Sequence, residues 1–457
     1  MLISGVNHNY MALSRIWAAF ILMAIGVAAL KYSFNPNYKT IFTEMVAGKA
    51  GDTIRLAAPP PVPSATALPA PAASYRLQKA DGIIDTCKTA VNLSLGLIGI
   101  MALFMGFIGI AERAGGVNLL SRIVGPFFSK LFPEIPKGHP AMGHMVMNFS
   151  ANLLGLDNAA TPFALKAMES LQTLNPEKEK ASNSQIMFLC LHASGLQLIP
   201  ISIIALRASV KPAAPDPTDV FVPIVIATFI ATIAAMVIVG IRQKINLLHP
   251  IVLAWVGGFS ALIALVVWYL RGLDAKGVQQ FSGVLANGLI LTIFLLIILG
   301  ALYKKINIFD AFVEGAKGGF ETAVRIIPYL VGMLAAISLL RNSGAFDAVI
   351  DGLRWIFTRL GTDTRFVEGL PTAIIKPLSA AGARGMMVDT MTTNGPNSFA
   401  GRLACILQGS SDTTFYIVAV YFGSVAIKNT RYAISAMLLA DLVGIIASIF
   451  LAYLFFG

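Results

Sequence analysis

Charge is scarce in this sequence. Only 12% of its 457 residues are Asp, Glu, Lys or Arg, while 56% are hydrophobic, and the mean hydropathy is +0.74. Soluble domains carry about 25% charged residues, so a water-soluble globular chain is excluded. Cysteine is nearly absent. Cys87, Cys190 and Cys405 cannot build a disulfide framework, and no CxxC or HxxxH spacing offers a metal site. There is no GxxxxGK[ST], which excludes a P-loop of the chain's own, and no GxSxG nucleophile elbow. No cofactor and no enzymatic activity are expected, and any transport would draw on a gradient or a separate partner. The net charge of +11 is not interleaved in a nucleic-acid-binding pattern. It points to loops facing anionic lipid headgroups.

What the sequence does have is long apolar runs. Residues 16–31 are the first, read as an N-terminal transmembrane helix in preference to a signal-peptide core. Tyr38 to Ala57 has an amphipathic pattern. Residues 58–75 form a Pro/Ala linker, so 32–80 is expected to be an insertion outside the bilayer. Further runs cover 89–110, 184–206, 219–240, 249–270, 282–302, 322–340 and 432–456, each near the roughly 20 residues that a bilayer requires. The stretches LLSRIVGPFFSKLF and 306–318 are amphipathic.

The chain is organised around Leu370 to Tyr416, where Lys376, Arg384, Asp389, Arg402 and Asp412 alternate with glycines inside apolar sequence. An earlier segment matches it in order. Glu112-Arg-Ala-Gly-Gly corresponds to Leu340-Arg-Asn-Ser-Gly, GHPAMGHMVMNFSANLLG to LPTAIIKPLSAAGARG, and FLCLHASGLQLIP to LACILQGSSDTTF. The chain therefore divides into a first repeat over 81–245 and a second over 246–457. If residues 140–157 dip into the bilayer and return, four crossings separate the 89–110 and 322–340 spans, and the repeats are inverted. Arg242 and Lys244, Lys304 and Lys305, and Lys428 and Arg431 then share one face, taken as cytoplasmic.

The segments LPTAIIKPLSAAGARGMMVD and NSFAGRLACILQGSSDTTFYIVAVYFGSVAIKNTRYA closely resemble the spore maturation protein B family. GHPAMGHMVMNFSANLLGLDNAATPFALKAMESLQ and ASNSQIMFLCLHASGLQLIPISIIALRAS closely resemble the spore maturation protein A family. The chain resembles a fusion of the two across nearly its whole length outside 32–80. Both families fall in the nucleoside-recognition, or Gate, superfamily, similar to the cores of concentrative nucleoside transporters and of the ferrous iron permease. The resemblance implies an all-α polytopic membrane protein. It would have two re-entrant hairpins, at 139–157 and 370–389, and two broken helices, at 184–206 and 402–425. No GTPase domain accompanies them here.

Each polar cluster has a functional and a structural reading. Gln408, Ser410, Ser411, Asp412 and Thr413 could unwind a helix at mid-bilayer and expose backbone to a solute; alternatively their hydroxyls bond back to the helix. Lys376, Ser379, Arg384 and Asp389 could form a hairpin tip holding an anionic solute, or an internal salt bridge. Asn148, Asn152, Asp157 and Asn158 could line a pathway, or only hydrogen-bond between helices. Ser194 and Gln197, with Pro200, mark the first broken helix as a lining segment or a plain kink. Cys190, Cys405, His144 and His192 form at most a weak soft-metal reading, and no metal ligand is expected. The function expected is a permease in the bacterial inner membrane for a small polar or anionic solute, with a nucleoside or related metabolite as one candidate. A non-transporting scaffold or regulator of envelope or spore maturation is the first alternative, and a metal-ion permease the second. Assembly as a homo-oligomer is left open.

Overall fold

The computed structural model describes residues 7–34, 38–48, 82–153, 157–197, 199–210, 214–270, 272–273 and 275–457. The described residues form helices and turns, with one isolated bridge between Lys180 and Asn429. In chain order the helices are α1 Asn7–Phe34, α2 Ile41–Ala47, α3 Ile83–Arg113, α4 Gly116–Leu131, α5 Pro140–Leu153, α6 Asp157–Leu174, α7 Asn183–Ala193, α8 Ile201–Ser209 and α9 Phe221–Gln243. They continue with α10 Pro250–Leu270, α11 Ala275–Tyr303, α12 Ile308–Asn342, α13 Ala345–Arg359, α14 Leu370–Ile375, α15 Ala380–Asn394, α16 Phe399–Gly409, α17 Thr414–Ile417 and α18 Ala433–Phe456. Among the described residues, seven helical stretches are long and apolar enough to cross a bilayer. The chain is an all-α, multi-pass membrane protein.

Two sets of elements follow the same order. Each begins with a long helix, α3 or α12. Each then turns at a glycine in the left-handed region, Gly115 (φ 83°) or Gly344 (φ 74°), into an amphipathic helix, α4 or α13. The bend at Gly344 is 74°. A side chain there would be strained, which is why both corners carry glycine. A helical hairpin follows, then a broken helix, then a plain span, α9 or α18.

The long helices α3 and α12 pack antiparallel along a glycine seam. A Cβ on Gly109 would meet Ala311 O at 2.8 Å, and one on Gly319 would meet Met101 O at 2.5 Å. Gly315 lies against Met105 O more closely still. Small residues of this kind let helix backbones approach in lipid, where association depends on packing. Gly315→Leu is expected to separate the two helices and drive the purified protein from a monodisperse to an aggregated fraction in size-exclusion chromatography. A monodisperse Gly315→Leu protein would show that the seam does not hold the halves together.

The two broken helices run in opposite senses between two rims. At one rim, where α7 begins and α9 ends, Ala181 N donates to Asn429 O at 2.9 Å. There too Arg431 Nη1 donates to Asn183 Oδ1 at 2.9 Å, and Gln243 Nε2 donates to Tyr432 OH at 2.9 Å. At the other, where α8 ends and α16 begins, Arg207 Nη1 donates to Pro396 O at 2.6 Å. Arg207 and Arg402 also grip the two oxygens of Asp219, each at 2.7 Å.

Several expected boundaries shift. The first hairpin does not close within 139–157; its return arm, α6, continues to Leu174. The second has unequal arms, since α14 is only six residues long and α15 extends to Asn394. The amphipathic stretch 306–318 and the apolar run 322–340 form one continuous helix, α12, whose Gly315 and Gly319 face α3. Of the amphipathic stretch at Tyr38 to Ala57, α2 covers Ile41–Ala47. The Pro/Ala linker lies outside the described residues.

Candidate functional site

The two helix breaks cross each other. Ser182 starts α7 with a capping box, its hydroxyl on Gln185 N and the Gln185 side chain on Ser182 N. Ser398 starts α16 in a similar way, accepting from Gly401 N at 3.0 Å. Both helices stop after 11 residues. Helix α7 gives way at Ser194 and Gly195 (φ 61°), and Pro200 stands immediately before α8 as its N-cap residue. Helix α16 ends at Gly409, where a Cβ would strike Ile224 Cγ2 at 2.6 Å. The breaks then touch: Asp412 N donates to Ala193 O at 2.7 Å, and the Cβ position of Gly195 lies 3.4 Å from Asp412 N.

The second hairpin closes on its own broken helix. Lys376, buried between α14 and α15, donates from Nζ to Gln408 O at 2.7 Å. This cation sits at the C-terminal end of α16, where unpaired carbonyls concentrate negative potential. Phe415 N, just beyond the break, donates to Pro377 O at 3.0 Å. Ser379 caps α15 through Gly382 N at 3.0 Å. The first hairpin reaches the other broken helix through amides. Asn148 Nδ2 donates to Ala160 O at 2.7 Å, tying the hairpin's two arms. Its Oδ1 lies 3.0 Å from His192 Nδ1, and Asn152 Nδ2 lies 2.9 Å from the same nitrogen. One ring nitrogen satisfies one of these amides at a time: protonated it donates to Asn148, unprotonated it accepts from Asn152.

The break itself carries the remaining polar groups. Ser194 Oγ is 2.7 Å from Leu191 O and 2.9 Å from Thr232 Oγ1 on α9. Ser410 Oγ donates back to Leu407 O at 3.0 Å, and Asp412 Oδ1 accepts from Thr413 N at 2.8 Å. Two buried oxygens in this region, Gln408 Oε1 and Thr413 Oγ1, have no hydrogen-bond partner among the described residues. Such groups cost about 1–3 kcal/mol each when left dry, which favours a solute or water at the break.

The sequence-derived residues separate into groups. Lys376, Gln408, Ser410, Ser411, Asp412, Thr413 and Ser194 converge on the crossing. Asn148 and Asn152 reach it through His192. Gln197 lies within the first break and is half-buried. Arg384 is half-buried and forms no ion pair among the described residues. It lies two helical turns before Met391, whose sulfur is 3.5 Å from Cys405 of α16, so it shares the α15 face turned to α16. Asp389 is elsewhere: Arg341 holds it at the far end of α12, with Nε 2.8 Å from both carboxylate oxygens, and stacks 4.3 Å from the Phe346 ring. It pins the hairpin, which is the salt-bridge reading of this residue. The side chains of Asp157 and Asn158 lie outside the described residues. Cys190 and Cys405 belong to different packing clusters, and among the described residues no group of three or more His, Cys, Asp or Glu could hold a metal.

Sequence reasoning missed Asp441. It is buried in α18, and its Oδ2 accepts from Thr414 Oγ1 at 2.6 Å. It is the one charged residue between 433 and 457, and an intramembrane carboxylate was signal enough.

Comparison with known proteins decides the family. The nucleoside-recognition (Gate) family matches residues 94–210 and 323–428. Spore maturation protein B of Bacillus subtilis (strain 168) is 47% identical over 175 residues, which cover 37% of this chain and 97% of that relative. The chain belongs to the Gate family. Spore maturation protein A of the same organism is 41% identical over 158 residues, covering 35% of this chain and 80% of the relative. The two relatives match different parts of the chain, as a fusion would. No solved structure matches. The two Gate segments run from within α3 to the end of α8 and from within α12 to the approach to α18. They therefore contain both hairpins and both breaks, and leave Asp441 outside.

Proposed function

We propose that this Gate chain is a permease of the bacterial cytoplasmic membrane that moves a small polar or anionic solute, nucleoside-like in class, through the crossing of its two broken helices. The observation that carries the reading is the crossing itself, with Asp412 N on Ala193 O and unpartnered Gln408 Oε1 and Thr413 Oγ1 beside it. Backbone broken at mid-helix in a membrane protein is tolerated where it lines a pathway or is held by neighbouring protein. Unpartnered oxygens favour the pathway. An inverted repeat is supported by the antiparallel packing of α3 on α12 and by the opposite senses of the two broken helices. Such a plan commonly sets a solute site at the midplane between repeats. Arg384, without an ion-pair partner, supplies a cation suited to a carboxylate or phosphate on the solute.

Uptake of labelled uridine and uridine monophosphate into proteoliposomes tests the reading. Wild-type protein is expected to load the vesicles. Asp412→Ala and Arg384→Ala are expected to insert and remain monodisperse, yet lose at least ten-fold in uptake. Normal uptake by both variants would remove the crossing as the pathway, and silence of the wild type toward every solute of the class would favour a scaffold.

A further inference from the structure

We infer that Asp441 is a reversible proton-binding carboxylate built into the second break, the coupling group of the permease proposed above. Its carboxylate accepts from Thr414 Oγ1 at 2.6 Å and from the Ser411 hydroxyl, so it bonds both sides of the α16–α17 break from a third helix. It is 5% exposed.

The charges around it do not cancel. Lys376, on the hairpin, and Asp412, in the break, are near enough to act on Asp441 electrostatically. From α7 the neighbouring groups are Cys190, on which Asp441 acts, and His192, on which Asp412 acts. Helix α16 brings Arg402, already paired with Asp219, and Cys405, which faces Arg207 and Met391. Helix α17 carries only exposed Tyr416. Helices α9 and α11 carry no charged side chain along their middle turns. Arg384 pairs with neither carboxylate. Asp441 thus faces one ammonium and one further carboxylate, and that ammonium also serves Gln408 O. A net negative charge is costly in a buried site, and one proton removes it.

Geometry selects Asp441 as the proton's holder. Asp412 is half-buried, and its Oδ1 accepts the Thr413 backbone N–H. Asp441 is the deeper of the two, and its neighbours are hydroxyls. These donate to the carboxylate and, with their hydrogens rotated, accept from the carboxylic acid. Both protonation states therefore keep their hydrogen bonds, and the proton can come and go without breaking the site. Thr414 opens the helix after the break, so proton binding acts directly on the segment whose backbone amide holds Ala193 O. The unpartnered oxygens of Gln408 and Thr413 mark where a solute would sense the change.

Two measurements test this, the first independent of transport. Infrared difference spectra of the reconstituted full-length protein, titrated between alkaline and acidic buffer, are expected to show a buried carboxylic-acid C=O band. That band should vanish in Asp441→Asn and persist in Asp389→Asn. A band unchanged in Asp441→Asn, or no band in the wild type, overturns the inference whatever the protein transports. In the second, vesicles loaded with a pH-sensitive dye are given labelled uridine under an inward proton gradient. Wild type is expected to acidify the lumen as it concentrates uridine. Asp441→Asn should still exchange uridine across the membrane but accumulate none above equilibrium. Equal accumulation by Asp441→Asn removes the coupling role and leaves the permease standing. If the wild type moves no uridine while the band titrates, the permease reading falls and the proton site stands.

Discussion

Asp219→Ala is expected to lose about 3–5 kcal/mol of stability, the usual cost of breaking a buried ion pair by removing one partner. Asp219 sits between α8 and α9 with its two oxygens held by different helices, Arg207 at the end of α8 and Arg402 on α16. Arg207 is fully buried and also donates to Pro396 O at 2.6 Å and Pro217 O at 3.2 Å. Removing the carboxylate strands one guanidinium that solvent cannot reach and another that is mostly covered. Arg402→Ala is expected to cost less: Asp219 keeps its bond to Arg207, and the loss is one charge-assisted bond plus stacking on Phe456 at 4.6 Å. Unfolding titrations in mixed micelles should rank wild type first, Arg402→Ala second and Asp219→Ala last. An Asp219→Ala protein as stable as wild type would mean the cluster is not what closes this rim. The opposite rim is stapled by exposed groups and backbone, including Lys428 on Glu179 at 2.6 Å, and exposed pairs contribute little. The rim with the buried cluster is therefore the harder to open.

Much of this architecture is legible in the sequence because membrane depth makes polarity expensive. Apolar runs near bilayer length mark α9, α10, α11 and α18, and the glycine and hydroxyl residues of 408–413 and 194–200 mark the breaks. Apolar patterning is blind to other features. It does not separate the start of α12 from a surface helix: residues 306–318 read as amphipathic because their small face packs on α3 rather than on water. It does not give the length of the first hairpin, whose return arm runs on to Leu174.

Partner identity is the larger gap. Asp389 sits close in sequence to Lys376 and Arg384, yet its partner is Arg341, 48 residues away. That pairing exists because α15 lays Gly382 and Gly385 against Met333 and Ile337, which brings its next turns to the end of α12. His192 invites a metal reading as an isolated histidine, but Asn148 and Asn152 arrive beside it from another element. Asp441 was visible and was passed over because the run around it is otherwise plain. Its hydroxyl partners lie 27 and 30 residues earlier, and periodicity within a single helix does not connect them.

Lys376→Met is the variant expected to separate charge from packing at the crossing. Methionine keeps the length of the side chain but gives up the bond to Gln408 O and the cation that acts on Asp441. A loss of about 2 kcal/mol follows from one buried charge-assisted hydrogen bond, and uptake is expected to fall at least ten-fold. Adding Asp441→Asn removes the negative charge that Lys376 had offset. The double variant is therefore expected to recover part of the stability lost by Lys376→Met alone, with a coupling energy of about 1–3 kcal/mol in the double-mutant cycle. Uptake is not expected to return, because the hairpin remains unfastened from the end of α16. Strict additivity of the two changes would show that Lys376 acts on Gln408 O alone. The hairpin's lysine would then be a staple rather than the counter-charge of Asp441.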